Sequence, residues 1–246
     1  MKTIVHRGLT GSRIAVDLPE EIAPERVGTT VAHFSIAGVE REFTAGPRDL
    51  GAAVAAEFGI SLTESFRLQR GTLRVGSKME LWTVPVDGYR FTNKHSVAVW
   101  EGVDRSVHTH LYDASTADAV ALFGRFTIVE TPEGAQMTPA ADGVVVGRQP
   151  ETLMLNLPVL GLMIVRKRAD ADGVPRWRGS TVAGGEVFCD KKDASQPVFM
   201  LAGASAVATI LPDAPTRRLA SVDHDAHWQR SVDMISLVKV GWTETR

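Results

Sequence analysis

Two pairs of histidines stand at spacings that can do chemistry. His108 and His110 flank Thr109 in the run Ser106-Val107-His108-Thr109-His110-Leu111-Tyr112. Alternate residues of a β-strand point to the same face, which would set these imidazoles ~7 Å apart and let them share one cation. His224 and His227 occur in Asp223-His224-Asp225-Ala226-His227-Trp228. If that piece is helical, the two rings lie one turn apart on one face. Three imidazoles from His108, His110, His224 and His227, joined by a carboxylate from Asp113, Asp223 or Asp225, would make a zinc site with one open position. The metal would lower the pKa of its bound water and produce a hydrolase.

Each short pair is a weak signal alone. In the plainer reading, His108 and His110 line the polar face of a half-exposed strand, and the second cluster is a solvated turn. The spacing from Gly102 to His108 is similar to that of cupin metal motifs, and the His-x-His to that of amidohydrolases. Neither pattern is completed by the residues that follow. The expectation is therefore a protein with no cofactor, with zinc as the alternative.

Other chemistry is thinner. Cys189 lies before Asp190, Lys191 and Lys192, yet Val187-Phe188 ahead of it reads as the end of a strand and an ordinary buried thiol. There is no Gly-x-Ser-x-Gly elbow. Gly71 to Gly76 lacks the lysine and spacing of a phosphate loop, and Val182-Ala183-Gly184-Gly185-Glu186 reads as a bulge or tight turn. Arg166-Lys167-Arg168 and Arg176-Trp177-Arg178 flank a turn at Asp172-Gly173. Paired as a hairpin, Arg166, Arg168, Arg176, Trp177 and Arg178 would form a cationic interaction surface. The competing reading is edge-strand protection by charge.

The elements that must position these groups are mostly strands. Alternating or β-branched stretches fall at Lys2–Arg7, Ser12–Leu18, Thr29–Ile36, Glu40–Thr44, Phe66–Val75, Met79–Val84, Val97–Trp100, Val107–Tyr112, Phe126–Glu130, Leu160–Arg168, Thr181–Phe188 and Ser236–Trp242. Ala37-Gly38, Asp87-Gly88, Glu133-Gly134, Asp142-Gly143 and Asp172-Gly173 supply the reversals.

Two short helices are expected. One opens at Pro47 with Leu50, Val54 and Phe58 as its apolar face, and Gly59 ends it. The other opens at Ser115, with Asp118 completing a capping box and Ala119, Leu122 and Phe123 facing inward. This is an α+β chain: β-rich, with mainly antiparallel sheets and two short helices packed on them.

The surroundings of the two helices match at an offset of 64 to 65 residues, Ala37-Gly38-Val39-Glu40-Arg41 against Glu101-Gly102-Val103-Asp104-Arg105. That suggests a duplicated hairpin–helix–strand unit, with chance similarity of two alanine-rich helices as its rival. Residues 1–246 read as one compact unit. Subdomains at 1–130 and 152–246 would be joined by the Pro- and Gly-rich segment 131–151.

The 246 residues are 44% hydrophobic and 23% charged, which excludes a disordered, collagen-like or disulfide-stapled chain. Twenty-seven basic against 29 acidic residues leave a net charge of −2 and a pI near 6.4, which argues against specific nucleic-acid binding. The apolar runs Val198–Leu211 and Leu153–Val165 fall short of the roughly 20 residues of a spanning helix and read as buried core. With one cysteine and no apolar leader at Met1–Gly8, the expected setting is cytoplasmic, without a transmembrane segment. The function these features favour is that of a non-catalytic structural or assembly protein, working through protein partners and as a homo-oligomer. A metal-dependent hydrolase and a carrier of small apolar ligands are the alternatives.

Overall fold

The computed structural model describes residues 1–24, 28–83, 90–190, 197–212 and 224–244. Its contacts gather the chain into two compact units, Met1–Thr30 with Pro150–Arg246, and Val31–Gln149. The architecture is mostly antiparallel sheet with short helices, as the strand patterning implies.

The chain begins with a hairpin of β1 (Lys2–Arg7) and β2 (Arg13–Leu18), paired from Lys2 opposite Leu18 to Arg7 opposite Arg13. Alternation in β2 buries Ile14, Val16 and Leu18 and leaves Arg13 exposed. The connecting loop is held by Glu151. This buried carboxylate accepts hydrogen bonds from the Thr10 amide (2.9 Å) and hydroxyl (2.6 Å), and burial pushes its pKa up.

Val31–Gln149 carries β3 (Thr29–Ile36), β4 (Val39–Pro47), α1 (Leu50–Glu57), β5 (Glu64–Leu68), β6 (Gly71–Thr83), β7 (Arg90–Glu101), β8 (Arg105–Tyr112), α2 (Thr116–Phe123), β9 (Phe126–Thr131), β10 (Gly134–Pro139) and β11 (Val144–Val146). Strands order as β3-β4-β8-β7-β6-β5, with β11 beside β3 and β9 paired to β10. Ala37 and Gly38 turn β3 into β4, both at positive φ (52° and 83°), the pair a tight hairpin reversal requires. The core is aromatic. Phe34, Phe43, Phe123 and Phe126 meet edge to face with centroids 5.0–5.8 Å apart, an arrangement that gains on top of the area it buries.

The returning chain adds β12 (Thr152–Leu157), β13 (Gly161–Lys167), β14 (Ser180–Val182), β15 (Gly185–Asp190), β16 (Val198–Ala202), β17 (Ala206–Leu211), α3 (His224–Ile235) and β18 (Lys239–Thr243) to the first unit. β18 joins β2 and β1 in one sheet, and the others order as β14-β15-β16-β17-β13-β12. Side chains of both sheets fill one core. Ile14, Val16 and Trp242 meet Leu153, Leu155, Met163, Phe199 and Ile210 there, with Ile235 of α3 and Val238. Both long apolar runs are hairpins in this core. Val198–Leu211 folds as β16 and β17, reversing where the Gly203 amide bonds the Ala206 carbonyl (2.9 Å). Among the described residues no helix is long and apolar enough to cross a membrane.

Several elements differ from their sequence patterns. Pro47 does not start a helix. It ends β4, paired with Arg105, and its carbonyl accepts the Ser106 hydroxyl (2.9 Å). The buried side of α1 is Gly51 and Ala55, not Leu50, Val54 and Phe58. A Cβ on Gly51 would collide with Val99, so the small residues set how closely the helix lies on the sheet. Phe66–Val75 is two strands, because Gln69 adopts φ 57° and reverses the chain without a glycine. Thr181–Phe188 likewise splits into β14 and β15. A third helix, α3, joins the two expected. The Asp87-Gly88 reversal lies outside the described residues.

The second helix has the expected cap. Ser115 Oγ accepts the Asp118 amide (3.1 Å), and Asp118 accepts the Ser115 amide (2.8 Å). Urea unfolding of Phe43→Ala should show a loss of about 3–5 kcal/mol, the cost of a cavity among packed rings. Ser115→Ala should lose only about 1 kcal/mol, the worth of one exposed cap.

Candidate functional site

The densest cluster of titratable side chains lies on the face of Val31–Gln149 formed by β6, β7 and β8. Register builds it. Lys78 stands opposite His95, His95 opposite Tyr112, and Val97 opposite His110. Directly paired residues of antiparallel strands share a face, and so do residues two apart. Lys78, Glu80, His95, His108, His110 and Tyr112 therefore share one side of the sheet.

Hydrogen bonds link them in series. Glu80 Oε1 lies 3.1 Å from His95 Nδ1, and His95 Nε2 lies 2.8 Å from His110 Nδ1. Lys78 Nζ reaches the same Glu80 oxygen at 3.0 Å. The hydrogen bonds from Lys78 and His95 hold the Glu80 carboxyl below its ordinary range, so it is an acceptor at neutral pH. With both rings neutral, His95 Nδ1–H donates to Glu80, His95 accepts at Nε2, and His110 donates from Nδ1.

Aromatic packing clamps the series. His95 stacks on His110 (5.1 Å) and on Tyr112 (5.0 Å), and Phe58 sets its edge against both imidazoles (5.1 and 5.0 Å). His108 lies beside His110 with centroids 6.0 Å apart. It is buried, its Nδ1 has no hydrogen-bond partner among the described residues, and burial together with the nearby His110 lowers its pKa from 6.5 to about 4. His110 is also lowered, by burial first and by His95 second, against the opposing fields of Glu42 and Glu80.

His108 and His110 thus share a face, as their spacing implies, but in the company of His95 and Glu80. His224 and His227 fall on α3, and their side chains lie outside the described residues. Asp113 is engaged in a turn at φ 51°, where its amide donates to the Lys94 carbonyl (2.8 Å) and its carboxylate accepts the Lys94 amide (3.1 Å). Among the described residues no group of three or more His, Cys, Asp or Glu side chains is arranged to hold a metal ion.

The basic segments do not form the expected hairpin. Both edges of β13 are occupied, by β12 and β17, so Arg166 and Lys167 pair with neither Arg176 nor Arg178. Arg168 donates to the Gly203 carbonyl (2.5 Å), and Lys167 bonds Glu244 (2.5 Å). Trp177 is exposed, its ring set against Phe188 at 6.2 Å. Cys189 of β15 is exposed too, not the buried thiol expected.

Sequence patterning missed His95 and Glu80. Arg90-Phe91-Thr92-Asn93-Lys94-His95-Ser96 is too polar to read as a strand, and only pairing with β6 makes it one. A concavity of about 840 Å³ is lined by Gln69, Trp100, Phe126 and Glu130 among others. Two of its polar side chains are already engaged. Glu130 accepts the amides of Val103 and Asp104, and Gln69 bonds the Phe126 carbonyl and the Ile128 amide. Comparison with known proteins finds no matching family model, no matching curated protein and no matching solved structure.

The depressed pKa of His108 carries a sign. The unfolded chain takes up this proton near pH 6.5 and the folded one only near pH 4, so stability is whole above 6.5 and falls as pH drops towards 4. The loss attributable to His108 should reach about 3 kcal/mol, at about 1.4 kcal/mol per tenfold difference in proton affinity. Urea unfolding at neutral and acid pH checks it. His108→Gln should flatten that part of the slope, and an unchanged slope would place the proton elsewhere.

Proposed function

We propose that this chain is a non-catalytic, β-rich assembly protein that docks to other protein chains, foremost to copies of itself, through the outer half of the β6–β7 hairpin. The observation that carries the reading is a pair of exposed apolar side chains on a ribbon that outruns its sheet. β5 pairs β6 only as far as Val75, and β8 pairs β7 only from His95, with Asp113 closing on Lys94. Met79–Thr83 and Arg90–Asn93 are therefore paired only with each other among the described residues.

A two-stranded ribbon is marginal in water by itself. This one carries Met79 and Leu81 on one face, 64% and 59% exposed, and Phe91 at 38%. Apolar side chains raised on such an arm gain free energy only when something covers them.

A second copy offers a fitting acceptor. Each chain presents the arm's open backbone edges and also the outer edge of β5, which ends its sheet. Strand addition between such edges satisfies the backbone and covers the arm in one step. The single cysteine fits a cytoplasmic setting, where disulfides are rare.

Sedimentation velocity from low-micromolar to near-millimolar chain should show an oligomer. Met79→Lys with Leu81→Lys should leave a monomer whose unfolding free energy is changed by no more than about 0.5 kcal/mol, as is usual for surface substitutions. A wild-type chain that stays monomeric across the range would refute self-association.

A further inference from the structure

We propose that the Glu80–His95–His110 chain is an acid-sensitive latch at the root of the β6–β7 arm, accepting one proton intact and opening on the second. As a control on docking it rests on the arm being the docking element; as a property of the fold it stands on geometry alone.

The latch sits where the arm leaves the sheet. His95 and Tyr112 form the terminal pair of the β7–β8 register, and His110 stands one same-face step further in. Beyond them the Lys94–Asp113 contact ties the arm to the end of β8. The His95–His110 bond is a side-chain link between β7 and β8 at the branch point.

Proton counting determines how it responds. With both rings neutral, His110 Nδ1–H donates to His95 Nε2 while His95 Nδ1–H donates to Glu80. A first added proton leaves both bonds in place on either ring: a cationic His110 still donates from Nδ1, and a cationic His95 donates from Nε2 to His110 Nδ1. A second leaves both nitrogens of that contact protonated. Two N–H groups then face each other at 2.8 Å on two cations, and the bond becomes a repulsion.

The surroundings set which side wins. From β6, Lys78 adds a positive charge and Glu80 a negative one; from β4, Glu42 contributes a second carboxylate, itself 3.3 Å from His33 of β3. β8 contributes His108 and the Tyr112 phenol, and Phe58, following α1, brings an apolar ring. The first proton is matched by the two carboxylates. The second leaves His95, His110 and Lys78 as three cations against Glu80 and Glu42. Opening β7 from β8 relieves that excess by letting the imidazoles reach water.

Hydrogen exchange on dilute chain, below any self-association, reads the latch directly. Between about pH 7.5 and pH 5, corrected for the intrinsic pH dependence of exchange, amides of Arg90–Ser96 and Tyr112 should lose protection about tenfold or more. Those of β12 and β13 should change little. Imidazole nitrogen shifts of His95 and His110 should titrate in two steps, as coupled sites do. His110→Gln keeps a donor for His95 and cannot be protonated, so its arm should keep its protection at acid pH.

Flat protection of the wild-type arm across that range overturns the latch. So does a single-step titration, or an acid loss in His110→Gln equal to that of wild type. Should that variant not fold, the wild-type exchange and titration decide alone. Because the measurement is made on single copies, a failed latch leaves the docking reading standing, and a chain that never associates can still show the latch.

Discussion

The pairing of β6 with β7 continues through the twelve residues of β7 while the strands on either side stop early, and most of what is distinctive here depends on that mismatch. Every backbone group of a sheet strand seeks a partner, so a ladder that outruns its neighbours leaves a ribbon with two open edges. The same ladder brings Lys78 and Glu80 alongside His95. The arm and the histidine chain at its root therefore share one cause. A register shifted by one residue would turn Glu80 to the opposite face and dissolve the chain.

Close packing next to this ladder decides which groups stay neutral. Gly51 and Ala55 let α1 lie against Val97 and Val99, and Phe58, which is not needed for that contact, leans over His95 and His110 instead. His108 pairs with Val99 across the strands and is buried. Taking an imidazole out of water penalises its cation, which is why His108 resists protonation while His95, bonded to an ionised Glu80, remains well supplied with partners.

Local signals carried far where the chemistry was local. Ser115 with Asp118 specified a capped helix start, Ala37-Gly38 a tight reversal, and Ile14-x-Val16-x-Leu18 a one-sided strand. Each rests on a few adjacent residues and backbone sterics. Signals failed where two segments distant in sequence had to meet. Pro47 suits a helix start by its own φ, but pairing with Arg105 holds it in a strand. Gln69 turns the chain at positive φ because the β5–β6 register asks for it, with no glycine to announce the turn. The polar run at Arg90–Ser96 is a strand only because β6 lies beside it.

By itself, then, this sequence determined a β-rich antiparallel chain, two of its helices, the apolar runs that fill the core, and the common face of His108 and His110. Those follow from side-chain period, turn sterics and hydrophobic burial, all of them short-range properties. Tertiary structure alone decided that His110 bonds His95, that β13 lies between β12 and β17 so that Arg166 cannot pair with Arg176 or Arg178 in a hairpin, and that the outer part of β6 and β7 runs past the strands that flank it. Each of these depends on which strands become neighbours and in what register, and that is settled by the whole set of pairings at once.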